Sequence, residues 1–326
     1  MNGKREHKAN WKIVLLGVVL LAVVLTIMFK FAELEQILGL LKKVNYWWIL
    51  AAFALQLGDY AMDTLFYRMI SRVSYWHLFK ATMAMSFLDN TVPTFSAGGN
   101  TLLYYSVRKK GSSQGKAAFM IALNAFVNFV LYFAIFVCGM AFLVVSGKIA
   151  GFGLTWIFAI FMIVVFIALY RALWTAAGRR QFKMFVSSAL RRWPNARKKA
   201  LQLLERLYYR RGKTKKSTIC LSFLFIATSY ILRISAVFCV FLALGYTLHP
   251  GVLMIGYFLT SFISVLSYVR MGVQEAAMSV SYSKLGVPYN LALTATLLYR
   301  LVTFWAIILI GFFAFRSIIN NNEKEK

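Results

Sequence analysis

Histidine and cysteine number three each in this chain, and ten acids stand against 37 Lys and Arg. Each scarcity excludes a class of chemistry. Cys138, Cys220 and Cys239 show no CxxC spacing and have no clustered His beside them. They imply neither disulfides nor a metal site and read as small core residues. A Ser-His-Asp constellation lacks a plausible base: His7 lies in the N-terminal tail, while His77 and His249 stand at the entrances of two irregular segments. The patterns GxxxxGK[ST] and HExxH are absent, which removes the nucleotide and zinc-protease readings. No catalytic residue, metal or cofactor is expected.

Apolar residues are abundant instead, at 60% of the chain. Several continuous runs exceed the roughly 18 to 20 residues that cross a bilayer, so the fold class is an all-α polytopic membrane protein. Full spans are expected at about 12–31, 46–68, 117–146, 152–171, 218–244 and 289–315. The first follows a basic tail and has no small-residue cleavage site near its end, so it reads as a retained span. A formal charge of +27 would suggest nucleic acid in a soluble protein. Here the charges lie mostly between apolar runs, where the positive-inside rule explains them, and no nucleic acid is expected.

Two apolar stretches are broken by polar and glycine-bearing turns: SFLDNTVPTFSAGGN at 86–100 and SFISVLSYVRMGVQE at 261–275. Slid by 175 positions, Ser86 and Phe87 fall on Ser261 and Phe262, and Asn100 falls on Glu275. Ser106, Lys109 and Gly111 likewise fall on Ser281, Lys284 and Gly286. Irregular backbone at membrane depth is tolerated only where protein buries it or a wet cavity borders it, and paired breaks point to a transporter-type site.

Basic loops set the orientation. Lys4, Arg5, Lys8 and Lys12 precede the first span, Arg68, Arg72 and Lys80 follow the second, and Arg108, Lys109, Lys110 and Lys116 precede the third. Residues 171–216 hold fifteen Lys and Arg against one acid, Glu205. All are cytoplasmic together only if the segment 77–107 enters from the cytoplasm and returns. The segment 250–286 then enters from the outer face. About six full spans and two re-entrant hairpins result, in an inverted repeat of halves 10–146 and 152–315 within one membrane domain, 1–326. Both termini are expected in the cytoplasm, at a cell (plasma) membrane.

The loop 172–216 alternates basic and apolar residues and is split by Pro194 into two short amphipathic helices. These should lie against anionic head groups of the inner leaflet. Ionisable residues inside spans are costly and face protein or water. They are Asp59, Asp63, Asp89, Arg233, Arg270, Glu275 and Arg300. Glu275 is expected to pair with Arg300 or Arg233, and Asp59 and Asp63, four apart, share one helix face. Gly98 and Gly99 permit a tight turn and Pro93 interrupts helical bonding. A helix starting near Ala97 would aim its N–H groups inward, toward an anionic head group.

The stretch MGVQEAAMSVSYSKLGVPYNLALTATLLYRLVTFW, 271–305, resembles the signature of the lysylphosphatidylglycerol synthase/flippase transmembrane family, the MprF-type membrane domain. Gly272, Val273, Glu275, Gly286, Val287, Pro288, Tyr299 and Arg300 carry the likeness, and Pro93, Gly98 and Gly99 resemble the element of its first hairpin. Three positions depart from the family pattern. Asn100 stands where an acid is usual, Asn124-Ala125 where Glu-Arg is usual, and the second turn lacks its Pro and Gly-Gly. If one hairpin carries charge-dependent function, the second is expected to be the one.

The resemblance implies a lipid flippase, moving a phospholipid such as lysyl-phosphatidylglycerol, or an isoprenoid-linked lipid, between leaflets. Glu275, Arg300, Arg270, Arg233, Gly272, Tyr299, Pro93, Gly98, Gly99, Asn100, Asp59 and Asp63 form the expected substrate path. The chain stops at Lys326 with no transferase domain after the membrane region, so a stand-alone member is expected. Two alternatives remain open. One is a phosphatidylglycerol lysyltransferase-related protein of lipid metabolism and cationic peptide resistance. The other is a non-transporting partner of an envelope glycosyltransferase, and an envelope-lipid biosynthetic enzyme is the partner such readings imply.

Overall fold

The computed structural model describes residues 34–91, 97–147, 175–212, 214–266 and 272–324, with isolated positions at 164, 167, 170 and 171. The expected first span, nearly all of the fourth, Pro93 and Arg270 lie outside the described residues. Among the described residues every regular element is helical. They are α1 (Leu34–Lys42), α2 (Tyr46–Ser71), α3 (Tyr75–Thr91), α4 (Ala97–Lys109), α5 (Gln114–Val145), α6 (Ala176–Ala189) and α7 (Pro194–Gly212). There follow α8 (Lys216–Ala243), α9 (Pro250–Leu266), α10 (Val273–Lys284), α11 (Tyr289–Arg300), a π turn (Leu301–Trp305) and α12 (Ala306–Lys324).

Among the described residues three helices are long and apolar enough to cross a membrane: Gln114–Val145, Lys216–Ala243 and the continuous Tyr289–Ile318. Four of the six expected spans fall on described residues, and three of those four meet this criterion. Helix α2 has the length, about 39 Å over its 26 residues. Gln56, Asp59, Asp63 and Arg68 interrupt its apolar surface, so it needs the protein around it. Asn45 caps α2 through its side chain on the Trp47 amide, while its own N–H donates to the Ala243 carbonyl at 2.9 Å. The start of α2 is thereby tied to the end of α8, and the two run antiparallel as the most extensive helix pair.

Helices α3 and α4 form an antiparallel pair bonded at both ends. His77 Nε2 lies 2.8 Å from Ser106 Oγ at the base, and the Gly99 N–H donates to Asp89 Oδ1 at 3.1 Å at the tip. Helices α9 and α10 pair likewise, with the Tyr282 hydroxyl donating to the Leu253 carbonyl at 3.1 Å. The helix bounds repeat the 175-residue register: α3 shifted by 175 is α9, and the starts of α5 and α11 also coincide. Gly111 and Gly286 occupy corresponding turns with φ of 87° and 93°, a conformation that favours glycine.

Each hairpin seats on the last long helix of the other half. Helix α9 packs on α5, where Phe136 and Phe258 rings are 4.9 Å apart. Helix α3 packs on α12, and a Cβ on Gly311 would stand 2.6 Å from the Met83 carbonyl oxygen. Residues 136 and 311, and 83 and 258, are the same positions under the shift, so one contact is made twice with different side chains. The main core is continuous across these seams, and buried Phe66, Phe241, Phe258 and Tyr282 are among its largest members. Of the cysteines only Cys239 is buried. Cys138 and Cys220 point outward from apolar helices, so composition alone misplaced them in the core.

The basic loop forms two helices, the second beginning at Pro194, as its pattern predicts. Lys183 bridges to Glu205 at 3.0 Å, Arg179 lies over the Tyr208 ring, and α7 packs on α5. Phe185 and Trp193 are exposed on this unit beside its basic residues.

Candidate functional site

A cavity of about 680 Å³ lies where both hairpins meet α2, α5, α8 and α11. Its polar wall is made by helical spacing. On α5, Asn124, Asn128 and Tyr132 recur every four residues and so share a face. The Asn128 side-chain amide donates to the Asn124 carbonyl at 2.8 Å, and the Tyr230 hydroxyl donates to Asn128 Oδ1 at 2.8 Å. Asn124-Ala125, one of the departures from the family pattern, therefore lies on the cavity wall.

Two ion clusters flank this space. In the first, the Arg233 guanidinium donates from Nε to Asp59 Oδ1 at 2.7 Å and from Nη2 to Asp63 Oδ2 at 2.8 Å. The Ser229 hydroxyl bonds both carboxylates, and Gln56 donates to Asp59 Oδ2 at 2.9 Å. Acids four apart on α2 thus face Ser229 and Arg233, four apart on the antiparallel α8. A charge buried this far is tolerated because its lone pairs and protons are satisfied. Arg233 also stacks on the Tyr230 ring at 5.2 Å.

In the second cluster, Arg300 Nε donates to Glu275 Oε1 at 2.6 Å and Nη1 donates to Gln274 Oε1 at 3.0 Å. The guanidinium carbon lies 4.1 Å from the Phe304 ring centroid. Glu275 and Arg300 are only 6% and 4% exposed. Gly272, at φ 81°, starts α10 and places Glu275 in its first turn. The π turn begins directly after Arg300 and carries Thr303 on the cavity wall, and such turns recur at functional sites.

Of the two pairings expected for Glu275, the structure forms the one with Arg300. Arg233 joins Asp59 and Asp63 instead. Asn100, Tyr299, Asp59, Asp63, Arg233 and Arg300 border one cavity, with Glu275 behind Arg300. Gly98 and Gly99 lie in the first turn of α4. The inward-facing start of α4 differs from its expected use, because the Asp89 carboxylate already accepts from Gly99.

Asp89 in this role, Gln56, Gln274, Asn128 and a set of tyrosines including Tyr60, Tyr132, Tyr230 and Tyr257 were not singled out from sequence. Their signal was legible as polar and tyrosine residues at helical spacing within apolar runs. Among the described residues no group of three or more His, Cys, Asp or Glu is placed to hold a metal.

Known proteins resemble this chain along most of its length. The family described as "Lysylphosphatidylglycerol synthase TM region" matches residues 14–311. A UPF0104 membrane protein of Archaeoglobus fulgidus is 26% identical over 319 residues, covering 91% of this chain and 94% of the relative. A UPF0104 membrane protein of Methanothermobacter thermautotrophicus is 27% identical over 333 residues, covering 94% of each. No solved structure matches. With the family pattern spanning nearly the whole chain and apolar helices of membrane length, this is a membrane protein that belongs to the lysylphosphatidylglycerol synthase transmembrane-region family.

Proposed function

We propose that the protein moves a lipid between membrane leaflets, passing the head group through the central cavity while the acyl chains stay in the bilayer. The observation that carries this reading is the cavity itself: about 680 Å³ bordered by both hairpins, with ionised and polar side chains set among apolar ones. Charges held there are costly in a membrane unless they face protein or a wet path. The hairpin geometry supports re-entry from opposite faces. Their limbs of 17, 13, 17 and 12 residues span about 25, 20, 25 and 18 Å, short of the approximately 30 Å core. The base of the first hairpin shares its end of the bundle with Arg68, Arg72, Lys80 and Lys109–Lys110, which supports a cytoplasmic opening.

The charges around the cavity favour one head-group class. Asp59, Asp63 and Asp89 border the cavity with Arg233 and Arg300, one more acid than base in a chain whose formal net charge is +27. Tyrosine rings around it add faces that attract cations. An aminoacylated phospholipid fits this better than an isoprenoid diphosphate. The test is translocation of fluorescent lipids in liposomes, comparing cationic with anionic head groups and wild type with Glu275→Ala and Arg300→Ala. The expected result is faster movement of the cationic lipid and loss in both variants. No movement of any lipid by the wild-type protein would sink the reading. Unchanged movement in both variants would remove the second ion cluster from the path.

A further inference from the structure

The sequence pattern treats the two helices of the basic loop alike, and the fold does not. Helix α7 is seated on the protein. It packs on α5, Tyr208 is buried, and a Cβ on Gly115 would stand 2.8 Å from the Arg206 carbonyl oxygen. Gly115 lies in the first turn of α5, and the apolar run of that helix begins two residues later at Ala117. The seat is therefore at the level where a membrane-length helix enters hydrocarbon. Helix α6 is held to α7 by the Lys183–Glu205 bridge and by Arg179 over the Tyr208 ring.

Helical spacing gives α6 two faces. Arg179, Lys183 and Val186 share one and are half-buried. Phe182, Phe185 and Ala189, three and four residues apart, share the other and are exposed. The Phe182 and Phe185 rings stack on each other with centroids 6.5 Å apart. Phe185 is 67% exposed, and Trp193, just past the helix end, is 63% exposed. Arg180, Arg191 and Arg192 are exposed around the same helix. Apolar rings gathered on an outer face forgo the burial that other phenylalanines of this fold obtain. Guanidinium groups beside them suit an anionic partner with a hydrocarbon interior, which is the composition of an interfacial helix.

We propose that α6 alone docks on the inner leaflet, with Phe182, Phe185 and Trp193 below the head groups and Arg180, Arg191 and Arg192 on anionic phosphates, while α7 is the strut that joins it to α5. Helix α5 carries Asn124, Asn128 and Tyr132 on the wall of the central cavity, so the docked helix is linked to that wall through one helix. This docking requires the cytoplasmic orientation given above, but not translocation.

A fluorophore on Phe185→Cys, in a Cys138→Ser/Cys220→Ser background of the full chain, tests it in nanodiscs of phosphatidylcholine with or without phosphatidylglycerol. With phosphatidylglycerol present, a nitroxide on the upper acyl chain should quench the probe strongly and an aqueous nitroxide weakly. In phosphatidylcholine alone the aqueous nitroxide should gain. Arg180→Gln/Arg191→Gln/Arg192→Gln should give that second pattern even with phosphatidylglycerol, each charge being worth about fivefold in surface affinity. Salt at about 1 M should do the same with the arginines intact, which carries the test if the triple variant loses its helical circular dichroism. The same number of charges removed elsewhere, in Lys42→Gln/Lys43→Gln/Lys284→Gln, should change nothing. A probe that stays aqueous in every nanodisc would overturn the proposal and leave the face to a protein partner. Lipid quenching indifferent to phosphatidylglycerol, salt and the arginines would also overturn it. Quenching is read without transport, so a protein that docks α6 and moves no lipid overturns only the earlier reading.

Discussion

At the tip of the first hairpin a single carboxylate, Asp89, meets the Gly99 amide, and at its base lysines line an open cavity. The second hairpin is held by Glu275, which is gripped with Gln274 by Arg300, while Tyr282 is wedged between its limbs. The two occupy the same register and make reciprocal contacts with α12 and α5. They therefore share a backbone plan and differ in what fixes it. The second hairpin is anchored by a buried ion pair. The first leans on one charged acceptor and close approach at Gly99 at its tip, and on the neutral His77–Ser106 bond at its base.

That difference predicts unequal responses to substitution. The largest effect is expected for Arg300→Ala, which leaves the Glu275 carboxylate, 6% exposed, without its guanidinium. Breaking such a pair costs about 3–5 kcal/mol, read as a lowered thermal unfolding midpoint in detergent. Glu275→Ala/Arg300→Ala should be less damaging than Arg300→Ala alone, because no buried charge is stranded. A double variant as unstable as the single one would show that packing, not charge, anchors this hairpin.

Gly99→Ala comes next. A Cβ there would stand 2.7 Å from the Asp89 carboxyl carbon and 2.8 Å from the Met85 Cγ. Overpacking of this kind costs about 1–3 kcal/mol, read as a lowered thermal unfolding midpoint in detergent. Asp89→Asn is milder, at about 1 kcal/mol, since the amide oxygen still accepts from Gly99. If Asp89→Asn proved as costly as Arg300→Ala, the contrast between the hairpins would collapse.

A last prediction sharpens the comparison without changing stability. In a Cys138→Ser/Cys220→Ser background, Lys110→Cys should react with an impermeant maleimide from the cytoplasmic side and Lys284→Cys from the outer side. Labelling of both from one side would exclude hairpins entering from opposite faces.

Much of the helical plan was legible beforehand. The span expected at 46–68 is α2, and those at 117–146 and 218–244 are α5 and α8 with small shifts of their ends. Length and hydropathy suffice there because hydrocarbon must be matched by helix whatever the neighbours are. Clear span status was overestimated for α2, whose acids are tolerable only because Ser229 and Arg233 face them. The same reason hid the partner of Arg233. Periodicity shows that Asp59 and Asp63 share a face, but not which helix that face meets. Asp89 was visible as an ionisable residue inside a membrane segment. Its bond to Gly99 depends on how closely two limbs approach, which no spacing rule contains.

The sequence by itself determined that this is a helical membrane protein and where the polar breaks fall, and it offered the 175-residue offset that the bounds of α3 and α9 share. These follow from local composition and from periods that survive without tertiary context. Only the folded chain decided that Arg300 takes Glu275 while Arg233 takes two aspartates, that Asp89 fills the helix start offered at Ala97, and that lysines line an open cavity at the base of the first hairpin. Pairing and cavity shape depend on distances between helices, set by the side chains of every neighbour at once. A one-dimensional pattern does not encode them.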